Sequence, residues 1–229
     1  MRRYNPYHKE LETVFVEMCN NTVNISKNLL ILDAGCGMGK DSIFSKHYRC
    51  DLIGLDLSAS YLKKNRNLLN KICASIYWLP FRASSFDGII CEWVIEHLNE
   101  PLKAFDEFKK VLKTNGFLIV VTSNILNPVI FIGGRLLPER ITKKLFRILY
   151  QINEEVFPLR YKCNTMGALD SLLQKTGFRR LITTTANNPW YCKFNRILYI
   201  SYQCFEYICA KFRLWHFDIY ILAVYRRCA

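Results

Sequence analysis

Apolar residues along this chain come in two rhythms. Short apolar runs read as strands buried on both faces, and between them lie stretches with a helical period. The pattern predicts strands at Leu29–Asp33, Asp51–Asp56, Ala74–Tyr77, Phe86–Cys91 and Gly116–Thr122, with a later pair near Phe178–Thr184 and Phe217–Arg226. A helix is predicted from about Tyr7 to Cys19. Ser58 stands where it can cap the helix after Asp56, and Pro101 suits a first helical turn. The helix after Pro101 carries Leu102, Phe105, Phe108, Val111 and Leu112 near one face, with Asn115-Gly116 as its stop. Thr165 and Gly177 bracket another helix in the same way. This alternation predicts an α/β fold with a parallel sheet covered on both faces.

A length of 229 residues fits one domain with one continuous core. The 32 Lys and Arg against 19 Asp and Glu leave a net charge of +13, which favours an anionic partner: nucleic acid, an acidic lipid surface or a phosphorylated substrate. Ten cysteines without a Cys-x-x-Cys pair, behind an N-terminus with no apolar leader, predict reduced thiols acting as small apolar side chains. No window is long and apolar enough for a spanning helix, so the expected location is cytoplasmic, with peripheral placement on the inner face of a membrane left open.

The strongest local signal is Leu29-Leu30-Ile31-Leu32-Asp33-Ala34-Gly35-Cys36-Gly37-Met38-Gly39, an apolar strand running into a glycine turn. Such turns bring backbone close to a ligand at the carboxyl end of a strand. A dinucleotide fingerprint needs its third glycine one residue later, and a P-loop needs Gly at 34 and Ser or Thr at 41, where this chain has Ala34 and Asp41. Asp33 also disfavours a pyrophosphate, while it suits a ligand bearing an ammonium group. Asp56, at the end of the second predicted strand, is placed to accept hydrogen bonds from two ribose hydroxyls.

These residues resemble the class I S-adenosylmethionine-dependent methyltransferases, especially the group that includes ubiquinone and menaquinone biosynthesis enzymes. The resemblance covers about residues 28–124. It rests on the run from Leu32 to Gly39, on Gly54-Leu55-Asp56-Leu57-Ser58, on Leu79-Pro80-Phe81 with Ser85-Phe86-Asp87, and on Asn115-Gly116-Phe117-Leu118. It implies a Rossmann-like, seven-stranded, mostly parallel sheet whose last strand is antiparallel, with helical cap insertions. It also implies S-adenosylmethionine as the methyl donor, held by Asp33, Gly35, Cys36, Gly37, Gly39, Asp56, Leu57, Ser75, Ile76 and Glu92. Relatives commonly carry Asp where this chain has Ser75, and Ser75 can still accept one hydrogen bond from the adenine, with Leu57 and Ile76 about the ring.

Glu96-His97 after the fourth strand matches relatives that methylate hydroxyl groups, and both are candidate catalytic residues. His97 is a candidate base because an imidazole titrates near neutral pH. No metal is expected, since Trp93 stands where a metal-binding relative has its first glutamate; the alternative would be a Glu92, Glu96, His97 site, with Glu92 and Glu96 sharing a helix face.

Two insertions, about residues 125–165 and 188–215, are expected to form a cap over the acceptor. In the first, a helix from Pro138 carries an apolar stripe of Ile141, Leu145, Ile148 and Leu149 and a basic stripe of Arg140, Lys143, Lys144 and Arg147. In the second, which is rich in aromatics such as Trp190 and Tyr191, Phe194, Ile197, Leu198, Phe205, Ile208 and Phe212 fall near one helical face, ordinarily a core face. The expected function is methyl transfer, with O-methylation favoured, to a small apolar or lipid-linked acceptor. An RNA methyltransferase and a non-catalytic donor-binding protein are the rivals, and an anionic membrane surface is a further expected partner.

Overall fold

The computed structural model describes residues 11–39, 42–138, 140–142, 144, 157–188 and 192–228. Within them run α1 (Leu11–Thr22), β1 (Leu30–Ala34), α2 (Ile43–His47), β2 (Asp51–Asp56), α3 (Ala59–Lys64), β3 (Asn70–Cys73) and β4 (Phe86–Glu92). Then follow α4 (Pro101–Val111), β5 (Leu112–Ser123), α5 (Pro128–Phe131), α6 (Met166–Lys175), β6 (Phe178–Ala186), α7 (Arg196–Lys211) and β7 (Tyr220–Arg227).

The seven strands form one sheet in the order β3-β2-β1-β4-β5-β7-β6. β1, β2, β3, β4 and β5 pair in parallel, and β7 runs antiparallel between β5 and β6. The seven-stranded Rossmann-like sheet expected from the sequence is therefore present.

The central strands are apolar on both faces because helices cover both. Leu32, Leu118 and Val120 join a core with Phe105 and Phe108 of α4 and Leu169 and Leu173 of α6. Their neighbours Ile31, Ile119 and Val121 point the other way, to Val14, Phe15 and Met18 of α1 and Phe44 of α2. The strand order reverses between β1 and β4, which opens a crevice at the carboxyl ends of the parallel strands.

Three expectations need correcting. β3 lies at Asn70–Cys73, not Ala74–Tyr77, because its partner β2 ends at Asp56, opposite Cys73. The more apolar stretch after it leaves the sheet through a turn closed by Trp78 N donating to Ser75 O. Asn115-Gly116 does not end α4: the helix stops at Val111, buried Leu112 pairs at once with Phe86, and Asn115 (φ 64°) turns the chain inside β5. The third correction concerns α7, whose predicted core face points outward. Ile197 is 76% exposed, and Phe194, Leu198, Ile208 and Phe212 are also exposed, whereas Tyr202, Glu206 and Cys209 face the protein and Phe205 is half-buried.

Polar anchoring explains that rotation. Tyr202 packs with Ile130, Cys192 and Ile219 while its hydroxyl accepts from Asn127, and buried Asp218 accepts from Thr185 and Asn187 beneath the same helix. Residues 7–10 of the first predicted helix, Lys143, Leu145, Arg147, Ile148 and Leu149 of the stripes, and Trp190 and Tyr191 lie outside the described residues.

Candidate functional site

The crevice is a cavity of about 390 Å³ at the tips of β1, β2 and β4. Its glycine turn is held in place by backbone geometry. Gly35 and Cys36 donate their N–H groups to Leu55 O at 2.7 and 3.0 Å. Gly35 has φ +87°, and a Cβ there would sit 2.2 Å from Val94 Cγ2. Gly37, at φ +49°, faces open space, so backbone is what the crevice presents to a ligand there.

A residue that the sequence reading missed clamps this turn. Asn65 is fully buried at the end of α3 and donates through Nδ2 to Gly37 O (3.1 Å) and Cys36 O (3.4 Å), while Oδ1 accepts from the N–H groups of Asn67 and Leu68. An Asn after a helix reads as an ordinary cap, so only the folded contact reveals the clamp.

Three carboxylates meet in the crevice. Asp56 accepts from Gly37 N through Oδ2 and from Ser58 N through Oδ1, each at 2.8 Å. Glu92 accepts from Ile43 N at 2.9 Å and Phe44 N at 3.0 Å, the orphan amides that open α2. Burial pushes the Asp33 carboxyl up to about 8, with repulsion from Glu92 and then Asp56 adding to it. Burial likewise pushes Glu92 up to about 7, against the pull of its two backbone donors. Among the described lining residues there is no Lys or Arg, in a chain whose net charge is +13.

Leu57, Ser75 and Ile76 line the same cavity, as expected, and Ser75 Oγ already accepts from Tyr77 N at 3.2 Å. Cys36 lines it too, its thiol pushed up to about 12 chiefly by burial. Tyr61, Tyr77, Phe157 and Pro158 were not anticipated. Phe157 makes an edge contact with Tyr61 and a second with His97, at centroid distances of 6.0 and 6.1 Å, which roofs the cavity with aromatic rings.

His97 lines the cavity beneath that roof, and its Nδ1 lies 3.1 Å from Pro158 O. A carbonyl can only accept, so Nδ1 carries the proton and the neutral ring keeps its basic lone pair on Nε2. Glu96 does not line the cavity. It is buried below, accepting from Thr122 Oγ1 at 2.7 Å and Ser123 Oγ at 3.2 Å, and its backbone oxygen accepts from Arg160 N and Tyr161 N. Glu96 thus fixes the strap that carries Phe157 and Pro158. Glu92, Glu96 and His97 face three different partners, and no three His, Cys, Asp or Glu side chains gather as a metal site among the described residues. Nor does α7 reach the wall: within 192–215 no described residue lines the cavity, whereas Phe157 and Pro158 of the first insertion do.

The crevice thus presents glycine backbone and three carboxylates, with no Lys or Arg among its described lining residues. Residues 32–120 match the family of the methyltransferase domain. The chain is 43% identical over 98 residues to an uncharacterized protein of Methanocaldococcus jannaschii, covering 43% of this chain and 42% of that one. It is 33% identical over 106 residues to malonyl-[acyl-carrier protein] O-methyltransferase of Methylovorus sp., covering 40% and 36%. The alignments therefore span about two fifths of these relatives. An S-adenosylmethionine-dependent methyltransferase structure from Mesorhizobium loti superposes with a TM-score of 0.58 at 15% identity, over 92% of this chain and 96% of the other. Residues 32–120 are thus similar to the class I S-adenosylmethionine-dependent methyltransferases, whose methyl donor is S-adenosylmethionine.

Proposed function

We propose that this chain transfers the methyl group of S-adenosylmethionine to a hydroxyl of a small apolar or lipid-linked acceptor. The observation that carries the reading is a single cavity shared by the carboxylate-lined crevice and by His97 under its aromatic roof. The donor fits the residues present: Asp33 suits its ammonium group, Asp56 its ribose hydroxyls, and Leu57, Ser75 and Ile76 its adenine, while open space above Gly37 admits it to the backbone. When bound, it supplies an electrophilic methyl on a sulfonium.

The chain's own residues do the rest. The Glu96-anchored strap holds Phe157 over His97, keeps water from the reacting atoms and aligns the acceptor. His97 takes the hydroxyl proton at Nε2 while the acceptor oxygen forms its bond to carbon and the sulfur–carbon bond breaks. The name of the Methylovorus relative supports an oxygen acceptor. An RNA acceptor gains no support from the cavity, where no described Lys or Arg stands to meet a phosphate.

The test is methyl-labelled donor incubated with the protein and cell extract. Label is expected in the fraction extracted by organic solvent; label in RNA would overturn the acceptor class. With that acceptor in hand, His97→Asn is expected to lower kcat by about a hundredfold with donor affinity intact. Unchanged turnover would remove His97 from the reaction.

A further inference from the structure

We infer that the outward face of α7 is a docking surface for an anionic bilayer. Ile197, Leu198, Ile200, Ile208 and Phe212 are at least half exposed; the spacing from Ile197 through Cys204 and Ile208 to Phe212 sets a strip along one side of the helix, which Leu198 and Ile200 flank. Trp215 extends the strip past the helix end at 49% exposure. So much apolar surface in water marks a contact site.

Charge identifies the occupant. Between Lys193 and Trp215 the chain carries four cations, Lys193, Arg196, Lys211 and Arg213, all on exposed residues and at the two ends of the apolar strip. Its one acidic residue there, Glu206, is buried at 3% exposure on the opposite face. Anionic headgroups meet cations and apolar side chains in this arrangement, with the helix lying in the interface plane. A second copy fits worse: self-pairing of this face sets cations against cations with no exposed carboxylate between them. α5 extends the surface, since Ile130 packs in the same cluster as Tyr202 of α7 while Phe131 and Ile132 beside it are exposed. No described helix is long and apolar enough to cross a membrane.

The inference stands on α7 and is independent of the acceptor's identity. The experiment is co-sedimentation of the full chain with vesicles of phosphatidylglycerol and phosphatidylcholine in equal parts, and with phosphatidylcholine alone. Binding is expected to the first at low salt, and it should weaken as salt rises. Ile197→Glu with Ile208→Glu should cut binding by about tenfold or more. Lys211→Gln with Arg213→Gln should cut it about fivefold per cation removed. Both variants should keep the wild-type melting curve and donor affinity; if the glutamates unfold the chain, Ile197→Ser with Ile208→Ser makes the same test. Three results overturn the inference: wild-type protein that stays in the supernatant, vesicle binding untouched by the isoleucine changes, or a dimer that Ile208→Glu dissociates.

Discussion

The crevice beside β1 and the outer face of α7 belong to one chain of net charge +13, yet they sort charge in opposite directions. The crevice gathers Asp33, Asp56 and Glu92 and holds no described Lys or Arg, whereas the exposed side of α7 keeps its cations and buries its one acid. Net charge therefore describes the field around the molecule and says nothing of the sign inside a site. The two regions also differ in how they are held. Hydrogen bonds with Asn65, Leu55 and Asp56 fix the crevice turn, while the apolar side chains on the outward face of α7 are half exposed or more.

Substitutions and pH can break or sharpen this contrast. The largest effect is expected from Gly35→Ala, whose Cβ meets Val94 at 2.2 Å in a left-handed backbone. Strain and overpacking together should cost about 3 kcal/mol of stability, read by urea denaturation. A neutral result would mean that the turn is not rigid.

Asp33→Asn comes next. Losing a charged acceptor for the donor's ammonium should weaken donor binding by about 2 kcal/mol, roughly thirtyfold, in calorimetry. Vesicle binding should not change, since the two regions are separate.

The pH effect is smaller per step. Asp33 titrates near 8 in the folded chain against an ordinary 3.8, so the native state keeps a proton there that the unfolded chain has released. Stability should therefore fall as pH rises through that window, by up to about 1.4 kcal/mol per pH unit, with Glu92 adding below 7. Saturating donor should flatten the slope, because its ammonium favours the ionised carboxylate, and calorimetry in buffers of different ionisation enthalpy should show proton release on binding. A slope unaffected by donor would separate Asp33 from the ammonium.

The smallest effect is expected from Ile197→Ser and Ile208→Ser, which should each change stability by less than about 0.5 kcal/mol. A loss typical of a core isoleucine would show that the face is covered after all.

Much of the crevice was legible in the residue order because its parts are local. Strand, glycine turn and the next strand's terminal Asp56 lie within about one βαβ unit, so spacing alone brought Asp33 and Asp56 to one edge. Asn65, Phe157 and Pro158 left no such trace: each acts on atoms distant along the chain, through a contact that neither period nor motif encodes. Glu96 was expected among the catalytic residues, yet its carboxylate turns inward to Thr122 and Ser123, away from the cavity.

The alternation of apolar runs, the glycine spacing and the carboxylates at strand ends determined the α/β sheet and where its crevice opens, because each depends on neighbours within a few turns of chain. Which side of α7 faces water was decided only in three dimensions. Both sides of that helix carry apolar residues, so hydrophobic period could not choose between them; the buried polar contacts from Asn127 and around Asp218 set its rotation.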